Sequence, residues 1–251
     1  MTTNSPTETP NSALADAIGI GQGEVVSVVG AGGIKPLLYR LTNELGGVLT
    51  STVGIPIFDE YVATLSVTED PVSALQREST RPLGLVPSRQ SEERYHGYET
   101  EIVDQIGNAT DDAVIVKSDG ARSRWLKAPD VHEPQLPATT DIVCPLVSVK
   151  IVGQSLTERH VHRPERVASV TGCSPGESLS AWDVAATVTS HDGGLKRVPP
   201  TARVVPVLTM AESPTEEKTA ERIAEWVREH PQVERVVAAQ LTESNPVVSV
   251  Y

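Results

Sequence analysis

A chain of 251 residues with 39% apolar side chains is long enough to bury a core of its own, as one domain or one domain with a subdomain. With 33 acidic against 21 basic residues the net charge is −12, which disfavours non-specific binding to nucleic acid or to an anionic membrane surface. No apolar run approaches the roughly 20 residues that span a bilayer. Cys144 and Cys173 lie far apart without a CxxC pattern, which argues against a disulfide framework or a zinc site. Residues 1–17 lack the basic start and apolar core of a signal peptide and read as a disordered tail, so a cytoplasmic protein is expected. Six lysines among the basic residues, with abundant Val, Thr and Ala, resemble the composition of proteins from salt-loving archaea.

Residues 18–251 read as a single domain. Four of the five residues Val25–Val29 are valine, a β-branched run with strand propensity. Gly30, Ala31, Gly32 and Gly33 follow, and Leu37, Leu38 and Leu41 then recur at helical spacing. A strand, a glycine loop and a helix aim backbone N–H groups at an anion, and the helix dipole favours negative charge there. The donors would be Gly32, Gly33 and Ile34, with Lys35 adding a point charge. The spacing is not GxxxxGK[ST], and Pro36 follows the lysine, so a phosphate loop and a tight turn without a ligand both fit the pattern. The helix from Pro36 to Leu45 stops at Gly46-Gly47, and Val48–Val53 is a second strand. This βαβ order implies a parallel sheet with a right-handed crossover. Further strands are expected at Leu83–Val86, Ala113–Val116, Asp141–Val149, Arg203–Leu208 and Val233–Ala239, and helices at Glu92–Ile106 and Thr215–His230. Residues 150–200 read as a mixed cap or subdomain. The fold class predicted is α/β, with a mostly parallel sheet and the glycine loop at its carboxyl edge.

Four other stretches carry chemistry. Ser118-Asp119-Gly120-Ala121-Arg122 sits at the carboxyl end of an apolar strand, where an aspartate holds Mg²⁺ through water or bonds its own turn. Leu126-Lys127-Ala128-Pro129 and His132-Glu133-Pro134 offer groups that hold an anion or shuttle protons; alone they also fit a Pro-rich surface loop. In His160-Val161-His162-Arg163-Pro164 an Arg–His pair for phosphate or carboxylate fits better than a metal site, because no third ligand is near. Leu208-Thr209-Met210-Ala211-Glu212 closes a late strand, where some nucleotide-binding proteins read their base.

In this order, GAGG, SDGARSRWLKAP, HEP, VGQSLTERHVHRPE and LTMAE resemble the YqeC family of selenium cofactor biosynthesis or selenium-dependent hydroxylase accessory proteins, from about Gly23 to Glu212. The resemblance implies a P-loop NTPase-like α/β fold, a nucleotide ligand (ATP or GTP with Mg²⁺), and a link to maturation of molybdenum hydroxylases that carry selenium. The departures fall on nucleotide chemistry. Family members read GAGGKTT, and this chain has Ile34, Lys35 and Pro36 at the last three positions. The family's EADGA is here Lys117-Ser118-Asp119-Gly120-Ala121, a cation in place of a carboxylate. Proline suits the first helical turn but offers neither an N–H to a phosphate nor a hydroxyl to Mg²⁺. The expectation is an accessory protein with a degenerate nucleotide site. It would hold a nucleotide or other anionic ligand weakly, between the glycine loop (Gly30 to Lys35) and Arg122, Lys127, His132 and Arg163. Asp119 is the candidate for metal or proton work, and His132, Glu133 and His162 are the other catalytic candidates. A molybdenum hydroxylase is the partner implied. An active ATP- or GTP-dependent enzyme using Lys35 and Asp119, and a protein-binding chaperone without small-molecule chemistry, are the alternatives.

Overall fold

The valine run becomes the middle of a wide sheet. A computed structural model of the protein describes residues 14–251. Strand β1 (Val25–Gly30) points Val26 and Val28 to one face of the sheet and Val25 and Val29 to the other, and all four are buried. Burial on both faces is why the run is continuously apolar instead of alternating. The remaining strands are β2 (Val48–Ser51), β3 (Thr64–Val67), β4 (Leu83–Val86), β5 (Val114–Lys117), β6 (Ile142–Ser148), β7 (Arg203–Val204), β8 (Val207–Thr209), β9 (Val237–Ala239) and β10 (Val247–Val250). Their spatial order is β10-β9-β8-β6-β1-β5-β2-β4-β3, with β7 beside β6, and every pairing is parallel except β9 with β10. The fold is mixed α/β, consistent with the P-loop NTPase-like type.

Helices cover both faces. On one, α1 (Leu14–Ile18) and α2 (Ile34–Leu45) bury Leu14, Ile18, Leu37, Leu38 and Leu41 against Val26, Val28, Ile115 and Cys144. On the other, α3 (Pro71–Arg77) and α4 (Thr100–Asn108) pack on Val25, Val48 and Val114. On that same face α6 (Ala181–Thr189) and α7 (Pro214–Val227) pack on Val147, Leu208 and Ala238. Helix α5 (Pro164–Thr171) adds Val167 to this last cluster, so residues between 150 and 200 share a core with α7 and the sheet. Both β5 and β6 lie next to β1, and the order of strands reverses there. In such sheets ligands bind at the carboxyl ends of the strands at that point.

Several expectations need correcting. The expected tail ends in helix α1, where Leu14 and Ile18 are fully buried and the Ala15 N–H donates to Glu44 Oε2 at 3.0 Å. The rest of that tail, residues 1–13, lies outside the described residues. The helix expected over Glu92–Ile106 begins only at Thr100. Ahead of it, Arg89–Ser91 and Arg94–Tyr95 form a hairpin that pairs with Ile55–Pro56. Tyr95 owes its burial to an edge contact with Phe58, not to a helical face, and Gly97 runs so close to the Thr52–Val53 backbone that a Cβ there would sit 2.4 Å from the Val53 nitrogen. The strand expected over Arg203–Leu208 is broken at Val205-Pro206, because proline has no N–H for the ladder.

Candidate functional site

The glycine loop is shaped first by its neighbour strand. Gly30 has φ 89° and a Cβ there would lie 2.4 Å from the Leu146 carbonyl oxygen; Gly32 has φ 83° and would clash with the Ser148 nitrogen at 2.7 Å. Both positions therefore demand glycine with or without a ligand. The Ala31 N–H donates to the Leu146 oxygen at 2.9 Å, and the Thr209 hydroxyl donates to the Gly32 carbonyl, locking the loop onto β6 and β8. Helix α2 then starts without a side-chain cap. Among the described residues, the N–H groups of Gly32, Gly33, Ile34 and Lys35 have no acceptor in the protein. An uncapped helix start with free N–H groups attracts anions.

Next to the loop, β5 delivers Lys117, Ser118 and Asp119, all buried. Asp119 Oδ2 accepts the Gly30 N–H at 3.4 Å, and Oδ1 accepts the Gly120 N–H at 2.7 Å and the ammonium of Lys127. Lys127 is fully buried and also contacts the Gly120 carbonyl at 2.8 Å and Glu133 Oε2 at 2.5 Å. Glu133 in turn takes a two-pronged contact from Arg163. Arg163 reaches Asp130 at 3.5 Å, and Arg166 contacts the same carboxylate at 2.5 Å. Two short parallel strands, Leu126–Lys127 and Val161–His162, bring LKAP and HRPE side by side. The HEP loop is tied down from outside by Arg197, whose guanidinium donates to the Val131 oxygen at 2.9 Å.

These charges tune one another. Burial pushes the Asp119 carboxyl above the usual carboxylate range, against the opposing pull of Lys127. Burial would also raise Glu133, but hydrogen bonds from Arg163 and Lys127 outweigh it and hold the carboxyl at about 2. Burial lowers Lys117 to about 8, with Asp119 working the other way. For His162, burial together with the nearby Arg163 and Lys127 charges brings the imidazole down to about 4, so its ring is neutral at pH 7.

A cavity of about 640 Å³ opens above this network. Ala31, Gly32, Gly33, Ile34, Lys35, Asp119, Arg122, Glu133, His162 and Arg163 line it together. Gly30 and Lys127 do not line it, and Lys127 is fully buried against Asp119 and Glu133. His132 is exposed and not among the lining residues; its carbonyl, not its ring, accepts a bond from Gln135 at 2.5 Å. Sequence reasoning missed Arg94, which arrives from the unexpected hairpin, and Arg124 and Trp125, which lie between two noticed motifs. Six basic side chains (Lys35, Arg94, Lys117, Arg122, Arg124, Arg163) thus line the cavity, and five of them are in excess of its two carboxylates, which Lys127 and Arg163 already neutralise.

Backbone strain collects in the same place. Among the described residues, five other than glycine have φ in the left-handed region: Arg122, Ser123, Arg163, Arg197 and Met210. Four of them line the cavity, and Arg197 holds the HEP loop. Such residues cost about 1–3 kcal/mol each and gather at functional sites. Among the described residues no group of three or more His, Cys, Asp or Glu side chains is placed to hold a metal ion. Asp119 has Lys127 on one oxygen and the Gly30 N–H on the other, and Pro36 supplies no hydroxyl, so these residues do not fit a Mg²⁺ site of the phosphate-loop kind.

Residues 26–165, from β1 to the start of α5, match the family model described as YqeC protein. The chain belongs to the YqeC family. The YqeC match contains the glycine loop, the Asp119 network and Arg163. The chain is also similar to YqeC of Escherichia coli (strain K12), an uncharacterized protein, at 29% identity over 72% of this chain and 73% of the relative. No solved structure matches the chain. Among the described residues no helix is long and apolar enough to cross a membrane.

Proposed function

We propose that this protein holds a polyanionic, phosphate-bearing ligand between its glycine loop and the arginines of the cavity, as an accessory in the maturation of selenium- or molybdenum-dependent hydroxylases. The observation that carries the anion reading is the reversal of charge: a protein of net −12 lines one cavity with six basic side chains. The free N–H groups at the start of α2 add to the same field. The accessory role rests on the family resemblance alone. Little Mg²⁺ assistance and negligible turnover follow from Pro36 and from the Lys127 ammonium already seated on Asp119.

Titration calorimetry with ATP and GTP, each with and without Mg²⁺, tests this reading. Weak binding that Mg²⁺ barely changes is expected. Tight Mg²⁺-dependent binding or brisk hydrolysis would replace the accessory reading with an ATP- or GTP-dependent enzyme. No binding of any phosphate compound would favour the chaperone alternative.

A further inference from the structure

Trp125 is the one tryptophan of three that lines the cavity; Trp182 and Trp226 are exposed on α6 and α7. Its indole is stacked on the His160 ring, centroids 4.3 Å apart and planes 20° from parallel. The main chain fixes it there: the Trp125 N–H donates to the His160 oxygen at 2.8 Å, and the Trp125 carbonyl accepts the Ser148 N–H at 3.0 Å. The turn that leads into it, closed by the Arg124 N–H donating to the Ala121 oxygen at 2.9 Å, places Arg122 and Ser123 at φ 49° and 61°. Positive φ at both central residues belongs to glycine and asparagine in ordinary turns. Here an arginine and a serine are forced into it, and the result is an indole set beside a cluster of guanidinium groups.

We infer that Trp125 is the floor of a subsite for a planar heteroaromatic ring carried by the anionic ligand. The half-buried indole is stacked on His160, packs against the cluster that holds Leu126 and Val147, and still lines the cavity, so it offers a ligand a fixed π-surface; aromatic stacking accepts any base because every base has a π-face. The phosphate groups of the same molecule then meet the glycine loop and Arg122. The ligand class is a phosphorylated heteroaromatic compound, as opposed to an aliphatic phosphate or inorganic polyphosphate. This inference rests on the anion reading of the cavity.

Calorimetry without Mg²⁺ compares ATP and GTP with inorganic tripolyphosphate, which carries the charge and lacks the ring. Stacking on an aromatic side chain makes the nucleotides about five- to a hundredfold tighter binders than tripolyphosphate. Trp125→Ala erases that gap while tripolyphosphate binding stays, and Trp125→Phe keeps most of the gap. In a Trp182→Phe/Trp226→Phe protein, ATP and GTP quench the fluorescence of the remaining indole and tripolyphosphate does not. Nucleotides that bind no tighter than tripolyphosphate, or a gap that survives Trp125→Ala, overturn the ring subsite and leave the anion reading standing. If Trp125→Ala loses tripolyphosphate as well, the quenching decides, and its absence overturns the proposal. Failure of the unaltered protein to bind tripolyphosphate removes the anion reading, and the ring subsite goes with it.

Discussion

Glu133 holds Arg163 through both of its oxygens, Oε2 at 2.7 Å from Nη1 and Oε1 at 3.2 Å from Nη2, while Lys127 approaches the same Oε2 at 2.5 Å. One carboxylate therefore restrains Arg163, which lines the cavity, and ties it to Lys127, which is buried beneath. The folded-state pKa of Glu133 is depressed to about 2, so its contribution to stability is complete above its ordinary value of 4.5 and is lost as pH falls toward 2.

Replacing it makes that contribution visible. Glu133→Gln is expected to destabilise the protein by about 2–3 kcal/mol at pH 7. The difference from the unaltered protein should narrow as pH is lowered from 5 to 3 in urea denaturation. The same variant loosens Arg163, which lines the cavity, so its affinity for tripolyphosphate should rise. A difference independent of pH would show that Glu133 does not act as a charge.

Lys127 is the buried counter-charge to two acids. Lys127→Met leaves the buried Asp119 without its cation and Glu133 with Arg163 alone, and should cost roughly 3–5 kcal/mol. Adding Asp119→Asn to it should recover about 1 kcal/mol or more, because the two substitutions share one interaction. Chemical denaturation of the two single variants and the double variant measures the coupling; additive losses would dissolve the pair.

Strain at Ser123 should be removable. Left-handed backbone costs a side-chain-bearing residue about 1–2 kcal/mol, and glycine's extra freedom in the unfolded chain takes back about 0.5–1 kcal/mol. Ser123→Gly should therefore stabilise the fold by about 0.5–1 kcal/mol, seen as a higher urea midpoint at unchanged slope. A lower midpoint would mean that the serine side chain is needed where it stands.

The loop can also be rebuilt. Ile34→Lys with Lys35→Thr and Pro36→Thr returns an N–H and a hydroxyl to the first turn of α2. A hydrogen bond to a charged group contributes about 1.5–3 kcal/mol, so Mg²⁺-dependent ATP binding should strengthen roughly ten- to a hundredfold. No gain would locate the obstacle at Asp119, whose oxygens Lys127 and Gly30 already occupy.

The sheet was legible where a strand is buried on both faces, because such strands are unbroken apolar runs: β1, β4 and β6 lie within a residue of where the valines and leucines put them. It was illegible at the edges. Strand β3 has no buried residue and ends in the exposed Val67, and Tyr95 and Tyr98 fall at a helical spacing that a hairpin and a loop also satisfy. The cavity was legible in part, since LKAP, HEP and HRPE carry charges at fixed prolines. Arg94 was not, because nothing local to Arg89–Tyr95 says that its hairpin folds back on Gly54; that contact spans 40 positions. The depth of Lys127 was equally invisible: Asp119 is only 8 positions away and Glu133 is in the next motif, but nothing local says that the chain folds both carboxylates onto one ammonium.

The tight fit of Gly30 and Gly32 against Leu146 and Ser148 has a consequence for how such chains age. A lineage that gave up nucleotides entirely would still be forced to retain both glycines, since any side chain there would collide with the β6 backbone at Leu146 or Ser148. At the start of helix α2, by contrast, Lys35 is exposed and Pro36 sits in the first turn, where proline is at home, while Ile34 is buried in the core. Glycines in this loop are thus a record of architecture, and Lys35 and Pro36 are the positions free to register a change of trade.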